Sequence, residues 1–253
     1  KKPEDYKEKW SDIGVFVKYG MISDEKFYDR ALKFALLENV DGEFSTIDEY
    51  KEKIKDTQTD KYDRTVMLYT SNKEEHTTYI KAAKDKGYDI LILDHVIDSH
   101  FIQHLEQKLG NVTFVRVDSD IPENLIQKDE ELESVLSEKD QEKVKVLFEE
   151  SLGEDIKSRI QLKPLSPTAH PILITIPEFM RRMKDMQAIQ GMDVGALPDM
   201  HNVVINSNHP LIAEKLVNMR SAEKKEKFAH YLYNLARLNQ NMLKGEELHE
   251  FIE

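Results

Sequence analysis

The sequence contains no cysteine. Disulfide staples and thiolate metal sites are therefore excluded, and the usage fits a reducing cytosol. No run of about 18 apolar residues occurs, the length a membrane-spanning helix needs. The opening residues KKPEDYKEKW lack the apolar core of a signal peptide, so none is expected. Positive charge is also short: 36 Lys and Arg stand against 48 Asp and Glu, for a net charge of −12. Nucleic-acid binding draws on phosphate neutralisation by Lys and Arg, and this balance argues against it. The glycines that cradle phosphate are missing as well. The turn after Thr70 reads SNKEE, and its two glutamates would repel a phosphate. There is no GxSxG elbow. The carboxylates come in runs such as Glu130-Glu131, Glu149-Glu150 and Glu246-Glu247, the pattern of solvated helix faces. No catalytic residue stands out, and the chain is not expected to be an enzyme.

What is present is enough to fold. A chain of 253 residues with 40% apolar content can bury one large core or two smaller ones. Residues 1–60 read as helices. Trp10, Ile13, Phe16 and Val17 recur at helical spacing up to Gly20, and Phe27, Ala31, Phe34 and Leu37 mark the next helix. Asp41-Gly42 is a turn, and Thr46 with Glu49 fits a capping box. The period then changes. Strands are expected over 65–70, 89–94 and 112–117, separated by helices that stop at Gly87 and Gly110. A second capping box is expected at Ser71 and Glu74. Residues 89–94 are apolar on both faces, as in a central parallel strand. This β-α-β-α-β order predicts a small parallel sheet with right-handed crossovers.

Residues 118–142 hold ten acidic and two basic side chains, a composition shift that marks a domain boundary. Beyond it the pattern predicts a long helix stopping at Gly153, strands over 156–162, 172–175 and 201–206, and helices over 211–219, 222–243 and 246–253.

Two apolar stripes and one polar cluster are candidate sites. Residues 171–210 hold five of the nine methionines: Met180, Met183, Met186, Met192 and Met200. Ile176, Phe179, Met180, Met183 and Met186 fall on one side of a helix, with Arg181, Lys184 and Asp185 on the other. Such a stripe is either core packing or an adaptable surface for varied apolar shapes. The second stripe comprises Phe228, Tyr231, Leu232, Leu235, Leu238 and Met242, continued by Leu248, Phe251 and Ile252. It either docks on its own domain or meets a second copy. His95, His100 and His104, with Asp94 and Asp98, are the densest set of metal-ligand types. Phe101 stands where a metalloprotease pattern needs Glu, so no metal is assigned.

Several segments in order are similar to the heat shock protein 90 chaperone family, in its bacterial form. They are Lys18-Tyr-Gly20, then Val66 to Thr70, then Lys86-Gly87 through Asp94 with Ile97-Asp98. Met180, Arg182 and Gln187 follow, then Ile205-Asn206-Ser207-Asn208-His209-Pro210, Leu232-Tyr233 and Met242 to Gly245. The resemblance runs along essentially the whole chain and implies the C-terminal half of such a chaperone. Residues 1–118 would be the latter part of its middle domain, helical over 1–60 and β-α-β over 61–118. Residues 119–136 would be an acidic connector and 137–253 a C-terminal dimerisation domain. The implied fold class is α/β plus α+β, with a mixed C-terminal domain ending in a dimerising helix bundle. The ATP and Mg site would lie in an upstream domain, leaving no cofactor in this segment. The resemblance implies client binding by Phe179, Met180, Met183 and Met186. A second family contact is a Glu-Trp pair just after Ile-Asp, where Ser99 and His100 stand here, and His100 is carried over. It implies homodimerisation through the second stripe, non-native proteins as partners, and a cytoplasmic setting without membrane or nucleic acid. The rival readings are a small-ligand hydrolase using the sheet and the His95, His100 and His104 cluster, and a purely structural pairing module with the Met helix buried.

Overall fold

The computed structural model describes residues 3–126, 132–189, 201–240 and 242–253. Contacts gather these residues into two compact units. The first holds the residues up to 126 and the helix starting at Glu178; the second holds 132–177 and the residues from 201 onward.

The first unit opens with helices α1 (Pro3–Glu8), α2 (Trp10–Ser23) and α3 (Glu25–Ala31). Gly20 does not end α2, which runs on to Ser23. Its missing side chain instead makes room for the Phe27 ring, which a Cβ there would meet at 2.7 Å. Helical periodicity breaks at Ala31. Leu36–Glu38 is strand β1, paired antiparallel with β2 (Phe44–Thr46) in the register Leu36 to Thr46. The Asn39 side chain shapes this hairpin by accepting from the backbone N–H groups of Asp41 (3.0 Å) and Glu43 (2.9 Å). Helix α4 (Ile47–Ile54) carries the expected capping box. Thr46 N–H donates to the Glu49 carboxylate (2.8 Å) and Glu49 N–H to Thr46 Oγ1 (3.4 Å).

The parallel sheet follows as β3 (Thr65–Thr70), α5 (Thr77–Asp85), β4 (Ile90–Ile92), α6 (Asp98–Leu109) and β5 (Val112–Arg116), then α7 (Pro122–Leu125). The strand order is β4-β3-β5, all parallel. The centre is β3, whose six residues are all buried, and not β4. The chain beside β1 covers the outer edge of β4 by a Val40 N–H to Ile90 C=O bond (2.9 Å). That bond leaves β4 without a fully open edge. The expected second capping box does not form. Ser71 Oγ accepts from Arg116 (3.0 Å), Asn72 Oδ1 accepts from the N–H groups of Glu74 and Glu75, and α5 begins at Thr77.

The second unit comprises α8 (Glu138–Leu152), α9 (Glu154–Lys157), β6 (Ile160–Lys163), β7 (Ile172–Thr175), and, after α10 (Glu178–Ile189) of the first unit, β8 (Asn202–Asn206). A π-helical turn (Leu211–Leu216), α11 (Ala222–Asn239) and α12 (Gly245–Ile252) complete it. The strand expected from residue 156 begins at Ile160, with Ile156 in α9. Strand β8 lies between β6, parallel, and β7, antiparallel. Val144 and Phe148 of α8 and Ala229, Leu232 and Tyr233 of α11 share a buried cluster with the sheet residues Ile174, Val203 and Ile205.

Candidate functional site

Helix α10 is an amphipathic helix seated with its charged side inward. Phe179 is 73% exposed, and Met180 and Met183 are half-buried. Arg181, on the side opposite the apolar stripe, is only 2% exposed. The side chain of Met186, and residues Met192 and Met200, lie outside the described residues. Glu178 stands in the first turn, where a carboxylate suits the positive end of the helix. It accepts from the Tyr69 hydroxyl (3.1 Å), from the N–H of Arg116 (3.3 Å) and from Arg182 Nε (2.9 Å). Arg182 grips both Glu106 oxygens (2.8 and 3.0 Å) and donates to the Phe114 carbonyl (3.0 Å). Arg181 lies 2.7 Å from the Asp118 carboxylate, which Arg116 also grips with two nitrogens (2.9 and 3.2 Å). Bidentate guanidinium–carboxylate geometry is the strong form of these contacts. Nothing in the apolar period of residues 179–186 signals these partners. The signal is Arg181-Arg182 one turn after Glu178, and it becomes readable only once Glu106 of α6 is known to lie beside β5, with Arg116 and Asp118 at the end of that strand.

His76 borders this network. Its Nδ1 is 2.7 Å from Thr70 Oγ1 and its Nε2 is 3.4 Å from Asp118. Burial, with the Arg116 charge nearby, pushes its pKa down to about 4. The folded protein therefore keeps His76 neutral through a range in which the unfolded chain takes up a proton, below about 6.5. Stability present above that value is lost as pH falls toward 4, by about 1.4 kcal/mol per pH unit for this group. His76→Gln should flatten the pH dependence of urea unfolding between about pH 6.5 and 4. Equal slopes for both proteins would show that His76 is not the group responsible.

The histidine cluster does not assemble. His104 packs edge-on against Tyr28 with ring centroids 5.1 Å apart, and its pKa is lowered by burial, while His100 is exposed. Among the described residues, Asp94, His95 and Asp98 bring ligand atoms together, but Asp98 Oδ1 already holds the Lys18 ammonium at 2.6 Å. A cation there would face that ammonium.

The terminal stripe divides. Leu232 is 1% exposed and lies in the core of its own unit, and Phe228 and Met242 pack partly against that core. Tyr231 (51%), Leu235 (41%), Leu238 and Ile252 are exposed, and Leu248 and Phe251 are half-buried. The Tyr231 ring lies 5.7 Å from the Phe251 ring, and Arg237 pairs with Glu247 at 2.7 Å, joining α12 to α11.

The 205–210 segment proves architectural. Asn206 Oδ1 accepts from the N–H groups of Leu165 (3.2 Å) and Asn208 (3.0 Å), and its amide donates to the Ser166 carbonyl (2.8 Å). Asn208 accepts from Val135 N–H (2.8 Å) and donates to the Glu133 carbonyl (3.0 Å).

Comparison with known proteins gives concordant matches. The family model described as "Hsp90 protein" matches residues 1–251. The chaperone protein htpG of Bacteroides fragilis (strain YCH46) is 43% identical over 217 residues, which is 84% of this chain and 32% of that protein. The chaperone protein HtpG of Porphyromonas gingivalis is 45% identical over 215 residues, 83% of this chain and 31% of its own length. That of Bdellovibrio bacteriovorus is 24% identical over 240 residues, 93% and 37% respectively. The chain thus spans about a third of the length of these relatives.

Proposed function

This chain belongs to the Hsp90 family, and from that premise we propose that it is the part of such a chaperone that holds non-native protein and pairs with a second copy. The client face is the outer side of α10, with Phe179, Met180 and Met183, and the family resemblance adds Met186 to the same set. His100, exposed on α6, is a second contact in the same reading. Pairing runs through the exposed edge of α11 and α12. In this reading the residues up to 118 correspond to the end of the family's middle domain and those from 137 to its pairing domain. Nucleotide chemistry belongs to parts of the longer family members outside this segment, and the setting is cytoplasmic.

The observation that carries the reading is Phe179, a large aromatic 73% exposed on a helix whose opposite side is committed to ion pairs. Exposed apolar groups clustered on one helix face mark a partner site. Methionines beside it add a surface that can adapt to varied side chains.

Changing Phe179 and Met183 together to Ser should weaken binding of a reduced, carboxymethylated protein that cannot refold, by about tenfold. The melting temperature should move little, because Phe179 is exposed and Met183 is only half-buried, so neither change opens a core cavity. A helix packed as core would give the reverse, with losses of about 2–5 kcal/mol per site. Unchanged client affinity would remove the assignment of α10.

A further inference from the structure

We propose that α10 is keyed to the first unit by charge, with Glu178, Arg181 and Arg182 as the positioning residues that hold its apolar side outward. To this contact α10 brings one carboxylate and two guanidiniums; α6 brings Glu106, and the end of β5 brings Arg116 and, just beyond it, Asp118. The six charges balance, three of each sign. Each helix residue meets a distinct partner: Arg182 takes Glu106, Arg181 takes Asp118, and Glu178 takes the Tyr69 hydroxyl and the Arg116 N–H.

Apolar burial alone would favour a different seating. Rolling α10 by about half a turn would bury Phe179 and release the arginines to water, since residues two apart lie on opposite sides of a helix. The rolled state would take both guanidinium contacts of Arg182 from Glu106 and would leave the buried Asp118 with Arg116 alone. Buried ionic groups of this kind contribute less to net stability than to the choice of one arrangement over another, the registry role assigned here. The network therefore selects the seating that apolar burial opposes. The inference concerns how α10 is held, and is independent of what its outer face binds.

Hydrogen exchange on the 253-residue chain tests this without any client. Arg182→Glu and Glu106→Arg should each speed amide exchange over residues 178–189 by about tenfold or more, while Met67 to Tyr69 in β3 keep their protection. The double swap, Glu106→Arg with Arg182→Glu, should restore most of the protection in α10. In the unaltered chain, raising salt to about 1 M should speed exchange in α10 relative to β3, because the part-exposed Arg182–Glu106 pair is screened while apolar docking is not weakened. This salt series decides the question if the charge variants fail to fold. Unchanged exchange in α10, in the variants or across the salt series, would overturn the proposal. So would equal acceleration in β3 and α10, which would make the network a general support of the fold. Failure of the double swap to restore protection would do the same. Client affinity is not read at any step, so the outcome is separable from the fate of the client assignment.

Discussion

Replacing Lys18 by Met will destabilise the first unit by about 3–5 kcal/mol, the largest single-site loss expected in it. Lys18 and Asp98 are both buried, with Nζ 2.6 Å from Oδ1. The ammonium also lies 5.6 Å from the centre of the Phe101 ring, and Asp98 Oδ2 accepts the His95 N–H at 3.0 Å. Methionine can fill the lysine's path but leaves the carboxylate charged, buried and short of its counter-ion. That unpaired charge is what costs, so Asp98→Asn, which keeps an acceptor for His95, should cost less. Lys18→Met combined with Asp98→Leu should recover much of the Lys18→Met loss, because replacing both ions of a buried pair is often close to neutral. Urea unfolding of the four proteins gives the coupling between the two sites directly. A Lys18→Met loss within about 1 kcal/mol would mean that apolar packing, and not this pair, fixes α2 against α6.

The pair also shows what a linear reading misses. Lys18 and Asp98 stand 80 positions apart in two of the segments that carry the family resemblance, and neither segment announces the other. The parallel sheet was legible because its signals are local. Apolar runs of strand length alternate with helical periods, and stops at Gly87 and Gly110 coincide with positive φ angles of 78° and 70°. The β1–β2 hairpin was not legible, since its strands are three residues long. Phe34 and Leu37 extend the period of α3 by coincidence, and no pattern that short separates helix from strand. The apolar faces of β4 read as those of a central strand, yet apolar faces report burial and not strand order, and it is β3 that pairs with a parallel neighbour on each side.

The candidate site divides in the same way. Periodicity finds the two faces of α10 but not which one meets the protein, because hydrophobicity alone assigns the apolar face inward. The ion partners at Glu106, Arg116 and Asp118 reverse that assignment, and they are distant in sequence. On α11 the stripe is wide enough to serve two surfaces. Leu232 and Leu235 are one turn apart, yet the first is 1% exposed in the core and the second 41% exposed. One edge of the stripe closes the second unit and the other is exposed.

That division sets the second large effect. If the chain pairs as proposed, Leu235→Glu should convert it from dimer to monomer, with a loss of pairing affinity of about 100-fold or more. A twofold pairing surface presents every substitution twice, so two carboxylates would be buried without counter-ions near the axis. The wild-type edge offers Tyr231, Leu235, Leu238 and Ile252, with Phe251 held against Tyr231. Each such side chain buried by a second copy contributes about 1.5–3 kcal/mol before the cost of association. The folded monomer should be nearly unaffected, because Leu235 is already exposed. Leu232→Glu is the contrasting control: it places a carboxylate in the core of the second unit and should unfold that unit. Sedimentation equilibrium at about 10–50 μM, with urea unfolding of the same samples, separates the two outcomes. A wild-type chain that is monomeric there would sink the pairing reading. A Leu235→Glu protein that unfolds instead of dissociating would show that this edge of α11 supports the fold.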